Sequence, residues 1–466
     1  MLQEAITERV LHAALETGGD FSEIFVEDKR GTFLNMIGGT VEKAVSGRDF
    51  GVGIRIIKGE FFVYAYTNDA REDNLIRVAR AAAQAIRGNR RNITFDLRRS
   101  IIDDKHKITV MPHTVSKKRK VEWMRRAHES AKEYDSIISQ TMISYSDSVQ
   151  NILIANSEGL FVEDQRSYNR LGIGAVAEFH GDKETAFLGP GSFSGLEYME
   201  KLDIEFYGRE AARSAKTILH ADLAPAGNFP VVIDNEFGGV IFHEACGHGL
   251  ESAAVARKAS VFADQLGEYV ASPLVTAFDD GTIPNAWGSL NIDDEGTKTK
   301  KNLLIENGIL KGYLIDRLGS LKMGMAPTGS GRRESYKYAP VSRMNNTFIA
   351  AGTSVPEDII SNTEFGIYAK YLEGGSVNPA TSDYNFSISE GYMIRNGKIA
   401  QAIKGATLIG KGIDTLKKID MVGNNLGLGI GMCGASSGTV PVTVGQPMIR
   451  VSELTVGGRG KCNRWI

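Results

Sequence analysis

The sequence predicts an α+β protein in two parts: a mixed N-terminal α/β-meander domain, residues 1–221, and a β-dominated C-terminal domain, residues 222–466, that carries one metal-site helix. Three observations predict it. Helical apolar spacing and short strand-like runs alternate up to about residue 219. Residues 222–229, with Pro225 and Gly227, read as a linker. Beyond about residue 285 the chain is mostly strand and turn.

In order, Leu2, Ile6, Val10, Ala14 and Leu15 recur at helical spacing, and Gly18-Gly19 stops that helix. Short strands are expected at 21–26, 32–37 and 41–45. Runs 50–57 and 60–66 then join at a Lys58-Gly59 hairpin turn. A helix covers about 71–86. The same order returns: a helix at 116–134, strand-like runs to about Leu188, and one helix at about 196–219. Gly51 and Gly53, like Gly172 and Gly174, sit at similar points of the two halves, a pattern of internal duplication. After the linker comes a short buried strand at 230–234 and a Gly-containing helix. Asn307-Gly308 and Asn396-Gly397, each between apolar runs, suit type I′ hairpin turns. Residues 427–460, rich in Gly and Val, read as several short strands.

Composition excludes several function classes. With 466 residues, 42% hydrophobic and 24% charged, the chain has the make-up of a globular protein with a large core. The 54 basic and 56 acidic residues nearly cancel, so no strong field for nucleic acid or anionic membrane is implied. Three Cys form no disulfide framework and fit a reducing compartment. The N-terminus has no signal-peptide pattern and no spanning apolar stretch is found, so a cytoplasmic, soluble protein is expected.

One constellation carries chemistry: His243-Glu244-Ala245-Cys246-Gly247-His248. Two imidazoles flank a carboxylate, as in a hydrolytic zinc site that holds a water and a proton acceptor together. The alternative is a pair of core histidines beside a surface carboxylate. The His spacing is i, i+5, about 140° apart on an ideal helix, so an irregular helix with a widened π-type turn is expected. A third ligand must come from elsewhere. Cys433, in a Gly-rich segment, offers a thiolate, and Cys462 near the end is a weaker candidate. Cys246 reads as a small buried residue.

The segment His243–Glu251 resembles the HExxxH signature of the TldD branch of the TldD/PmbA metallopeptidases. Segments 331–345, 374–383, 389–397, 444–447 and 455–458 resemble the same family in the right order, and the N-terminal half resembles it in element order alone. The resemblance implies a zinc-dependent peptidase (hydrolase, metalloprotease) acting on unstructured peptides or peptide precursors, held in extended form in an enclosed cavity. By the same resemblance, Zn²⁺ is held by His243, His248 and Cys433, and Glu244 is the general base. It also implies a homodimer, or a heterodimer with a paralogous subunit lacking the metal motif. Tyr336 and Arg343 are candidates to bind substrate or stabilise the oxyanion, with structural pairing as the alternative. Ser382 and Asp383 carry no stronger claim.

Rival functions are a non-catalytic peptide- or partner-binding subunit of a protease complex and a metal-dependent amidase of small molecules. The basic run Lys117–Lys120 lacks interleaved aromatics and reads as a solvated or partner-facing surface. The Gly-rich run 427–434 lacks the strand–turn–helix context of a dinucleotide loop. Asp293-Asp294-Glu295 reads as a solvated acidic turn.

Overall fold

The first helix forms where its apolar spacing places it. α1 (Glu4–Leu15) buries Val10, Leu11, Ala14 and Leu15, and Gly18 ends the turn in the left-handed region with φ 98°. The structure, a computed structural model, describes residues 1–86, 88, 94–378 and 380–460. Then come β1 (Phe21–Ile37), β2 (Thr40–Lys58), β3 (Phe61–Thr67), α2 (Glu72–Ala83), β4 (Arg98–Ser100), α3 (Lys117–Lys132), β5 (Ile138–Asn156), β6 (Leu160–Phe179), β7 (Asp182–Leu188), β8 (Gly191–Ser192), α4 (Glu197–Lys201) and α5 (Ile204–Leu219).

The expected short strands at 21–26 and 32–37 are one strand, β1, and those at 41–45 and 50–57 are one strand, β2. The polar middle segments do not break them, because β1 is paired along its whole length with β2 and, from Glu23, with β5. The single helix expected at 196–219 is two, because Asp203 caps the start of α5 by accepting from the Phe206 amide.

Eight strands make one sheet, in the order β3-β2-β1-β5-β6-β4, with β7 and β8 also on β6. The order helix, three antiparallel strands, helix occurs twice, and β1 and β5 meet antiparallel at the centre. Gly51 and Gly53 pair with Glu27 and Phe25, the seventh and fifth residues of β1. Gly172 and Gly174 pair with Ser144 and Met142, the seventh and fifth residues of β5. The helices cover one face of the sheet in two clusters, α1 with α2 and α3 with α5. On the other face Phe25, Ile152, Ile154 and Val162 pack against Ile292 and Tyr336 of the C-terminal half.

That half runs β9 (Asp222–Leu223), β10 (Gly227–Ile233), α6 (Val240–Ala245), α7 (Ser252–Val255), β11 (Ala277–Asp280), β12 (Lys301–Glu306), β13 (Ile309–Leu310), α8 (Arg317–Met323), β14 (Gly331–Arg332), β15 (Val341–Ser342), β16 (Asn346–Ile349), α9 (Pro356–Ser361), β17 (Phe365–Asn378), β18 (Asp383–Arg395), β19 (Lys398–Lys404), β20 (Ala406–Lys411), α10 (Gly412–Lys417), β21 (Ile419–Val422), β22 (Gly427–Ala435), β23 (Gly438–Gln446) and β24 (Ile449–Gly457). The linker expected at 222–229 is instead strand at both ends: β9 joins β19, and β10 starts at Gly227. β17, β10, β24, β20 and β18 close into a five-stranded ring, since β17 pairs with both β10 and β18. A six-stranded sheet, β13-β12-β11-β16-β23-β22, stands beside it. Both Asn-Gly turns have positive φ at both residues, 48° and 83° at Asn307-Gly308 and 52° and 69° at Asn396-Gly397. No helix among the described residues is long and apolar enough to cross a membrane.

The two halves meet through buried charge. Arg55 of β2 bonds Glu23 of β1 (2.8 Å) and Glu295 (2.7 Å), and Arg333 bonds Glu23 (2.6 Å). Arg166 of β6 bonds Asp294 (2.6 Å), while Asp293 accepts the Gly331 amide (2.9 Å). The acidic turn at 293–295 is therefore buried inside the junction, not solvated.

His106, between β4 and α3, accepts the Asn285 amide at Nδ1 (3.1 Å), and burial pushes its pKa down to about 4. An unfolded-state value of about 6.5 makes this stabilisation complete above 6.5 and lost as pH falls towards 4. Denaturant unfolding at pH 7.5 and pH 5 is expected to show wild type losing about 2 kcal/mol more than His106→Gln over that interval.

Candidate metal centre

α6 lies in the C-terminal core, with Ile241, Phe242 and Ala245 buried. It stops at Ala245: Cys246 takes φ −125° and ψ −53°, and residues 247–250 continue as a 3-10 turn. The break is therefore an α-to-3-10 junction in place of the expected π-type turn. Gly247 is needed there, because a Cβ would strike the Met344 sulfur. The junction turns the two rings towards each other, with centroids 5.0 Å apart and planes at 83°.

Cys433 arrives on β22, the edge strand of the six-stranded sheet. Its Sγ lies 3.3 Å from His243 Nε2 and 3.2 Å from His248 Nε2. The three donor atoms lie within 4.8 Å of one another, the single such cluster of three or more among the described residues. A tetrahedral zinc with ordinary bond lengths separates sulfur and nitrogen by about 3.6 Å, so this set fits the ion. Burial pushes the Cys433 thiol up, but His243 and then His248 outweigh it and bring the pKa down to about 4. It is a thiolate at neutral pH, the form that takes a borderline-soft dication. Burial pulls His248 down, but Glu251 and Cys433 raise it well above the usual imidazole value. A dication entering this thiolate–imidazolium pair would release a proton.

Glu244 Oε2 stands 3.7 Å from His248 Nε2 and its side chain is 22% exposed, against 2% for His243 as a residue. Glu251 completes the site from behind: its Oε2 lies 3.2 Å from His248 Nδ1. That contact directs Nε2 towards Cys433 and makes the ring a better ligand. Sequence reasoning missed this role, although a carboxylate three residues after a candidate ligand His was the available signal. Glu251→Gln is expected to weaken zinc binding about 10- to 100-fold, as read by competition with a fluorescent chelator.

Models of the PmbA/TldA metallopeptidase domain 1, central domain and C-terminal domain match residues 22–86, 111–219 and 226–458. The Metalloprotease TldD homolog of Buchnera aphidicola (subsp. Acyrthosiphon pisum) is 39% identical over 419 residues, covering 88% of this chain and 87% of its own. The chain belongs to the TldD/PmbA metallopeptidase family. Another relative in that comparison, from Saccharolobus solfataricus, is named a zinc metalloprotease TldD homolog; it is 32% identical over half of this chain and 52% of its own. A Thermotoga maritima crystal structure shares the fold, with a TM-score of 0.80 at 23% identity, covering 97% of this chain and all of that one.

The other two candidate site residues of this TldD/PmbA chain stand elsewhere. Arg343 is fully buried, and its donors go to the carbonyls of Cys433 (2.5 Å) and Gly438 (3.0 Å) and to Ser437 Oγ (3.2 Å). It braces the strand that carries Cys433, and its Nε lies 3.9 Å from Glu251 Oε1, the carboxylate behind His248. Tyr336 is 3% exposed at the junction of the halves. Its amide bonds Glu27 (2.8 Å), its hydroxyl bonds Asp49 (3.2 Å), and its ring fills the space left by Gly51. The Tyr336 hydroxyl and the two terminal nitrogens of Arg343 are thus engaged within the fold. Cys462 lies outside the described residues.

Proposed function

We propose that this chain is a zinc-dependent peptidase of unstructured peptides or peptide precursors. The observation that carries the reading is the convergence of His243 Nε2, His248 Nε2 and the Cys433 thiolate, with the Glu244 carboxylate beside them. Three protein ligands leave a coordination position free, which a structural zinc site would have closed with a fourth. Zinc held there would act as a Lewis acid and bring the pKa of water towards neutrality. Glu244 takes the proton of the attacking water and returns it to the leaving amine. Glu251 and Arg343 keep His248 and Cys433 in place meanwhile. The zinc name of the Saccharolobus relative supports the choice of metal. An extended peptide can align on the edge strand β22. In this reading the chain works in the cytoplasm as a homodimer or with a paralogous subunit lacking the metal motif.

The test is hydrolysis of an unfolded-peptide mixture by the purified chain, followed by mass spectrometry. Cleavage is expected to stop on chelation and return with zinc, while folded proteins stay intact. Cleavage indifferent to chelation would overturn the mechanism. A chain that binds peptides and holds zinc yet never cleaves, with or without a co-purifying partner, would favour the binding-subunit alternative.

A further inference from the structure

A cavity of about 500 Å³ lies between the N-terminal sheet and the β22–β23 hairpin. Met432 and Pro441, cross-strand partners, line it from the hairpin. Cys433, the next residue of β22, points to the opposite face, as successive strand residues do. The cavity and the metal centre therefore adjoin the same strand pair, and Val440, the cross-strand partner of Cys433, reaches the cavity wall.

Each carboxylate in the wall already has a donor. Asp147 accepts from Lys120 Nζ (2.5 Å), Asp294 from Arg166 Nη1 (2.6 Å) and the Arg333 amide (2.7 Å), and Glu334 from the Thr439 amide (2.7 Å). Two arginines in the same wall have no such match. Arg332 is 2% exposed, and its hydrogen bond runs from Nη1 to the Met344 carbonyl (2.6 Å). Among the described residues no carboxylate oxygen comes within the 4.0 Å of an ion pair with it. Burial, with Arg343 and Arg166 adding like charge, holds its pKa below the ordinary arginine value despite Tyr168 and Asp294. Arg170 donates from Nε to the Gly189 carbonyl (3.2 Å) and is likewise lowered by burial.

A buried guanidinium whose nearest carboxylates, Asp294 and Asp279, act on it only from beyond ion-pair distance is costly, and an anionic ligand would reduce that cost. The planar fork of arginine matches a carboxylate in two parallel hydrogen bonds. A doubly charged phosphate would meet three carboxylates in this wall, whereas a carboxylate brings a single charge. Tyr168 and Trp287, edge to face at 5.3 Å, offer apolar surface beside the arginines.

We infer that this cavity holds a carboxylate of a bound peptide, with Arg332 as its anchor, Arg170 beside it and Tyr168, Trp287 and Met432 against the hydrocarbon part. The peptide body rests on the peptidase reading; the carboxylate anchor does not involve the metal. A free C-terminus and an acidic side chain share the required chemistry.

The experiment uses the full chain treated with chelator, so that nothing is cleaved, and fluorescence anisotropy of three N-terminally labelled pentapeptides. One is neutral with a free C-terminal carboxylate, one neutral with a C-terminal amide, and one amidated with a single Glu. At least one carboxylate peptide is expected to bind about 10- to 100-fold tighter than the neutral amide. Tighter binding of the free acid assigns the C-terminus, and of the Glu peptide the side chain. The gap should close in Arg332→Met and partly survive in Arg332→Lys. Equal binding of all three peptides to wild type, or a gap that persists in Arg332→Met, overturns the inference. Should Arg332→Met not fold, half-buried Arg170→Met carries the same comparison, and an unchanged gap there overturns it. A chain that shows the preference but never cleaves peptides keeps this inference and loses the peptidase reading; a chain that cleaves without the preference does the reverse.

Discussion

The Glu244→Gln protein is expected to keep its zinc and lose peptidase activity by about 10²- to 10⁴-fold. Glutamine preserves the volume of the side chain and an oxygen that accepts hydrogen bonds, but it cannot take a proton at neutral pH. Glu244 donates no ligand atom to the cluster of His243, His248 and Cys433, so metal content should not change. Its carboxylate lies beside the ligands, at 3.7 Å from His248 Nε2, and keeps an open face that the buried His243 lacks. The check is zinc per chain by mass spectrometry alongside kcat on one cleaved peptide. A fall in kcat with KM held marks a group that works in the transition state and not in binding. Activity within a few-fold of wild type, at equal zinc content, would remove Glu244 from the proton path.

Much of the fold was legible because it rests on local rules. The helical spacing of Val10, Ala14 and Leu15 and the two Asn-Gly turns need only the chain's own periodicity and backbone preferences. What escaped depends on partners far away in sequence. β1 and β2 read as broken strands because their polar middles carry no alternation, yet pairing holds them continuous. Residues 222–229 contain Pro225 and Gly227, but the partners of the strands at either end, β19 and β24, lie well over a hundred residues further on. Asp293, Asp294 and Glu295 read as solvated, but Arg55 meets Glu295, Arg166 and the Arg333 amide meet Asp294, and the amides of Glu295, Thr297 and Gly331 satisfy Asp293.

At the centre itself, the residue types of His243, Glu244, His248 and Cys433 were legible, and the local distortion was foreseen from the i, i+5 spacing. Its form was not. The turn at 247–250 is 3-10, and Gly247 within it lies close against Met344, a tertiary contact that the local spacing does not reveal. Arg343 and Tyr336 show the converse limit. An arginine and a tyrosine in a strand-rich half suit substrate binding by type alone, but Arg343 spends its Nη1 and Nη2 donors on the Gly438 and Cys433 carbonyls. Composition cannot separate a residue that meets a ligand from one that holds the ligand's neighbours.

Replacing the thiolate is expected to have the larger effect on the metal. Cys433→Ala should lower bound zinc from about one per chain to a small fraction and abolish cleavage. The loss is electrostatic before it is geometric. Sγ is the one anionic donor of the set, and it touches both imidazoles, at 3.3 and 3.2 Å. Alanine leaves the backbone that Arg343 grips and most of the small contact with Val440 and Val442, so the hairpin should hold. Thermal unfolding of the chelated proteins should therefore differ little while metal binding collapses. The same variant tests the charge state. With its pKa brought down to about 4, Cys433 should contribute thiolate absorbance near 240 nm at pH 6 in chelated wild type. Cys433→Ala should lack that increment. On acidification the wild-type signal should fade as pH approaches 4, where an ordinary thiol would already have lost it below pH 9.0. A difference spectrum with no thiolate at pH 6 would mean that the two histidines do not hold the charge, and the case for a preformed metal-binding set would fall with it.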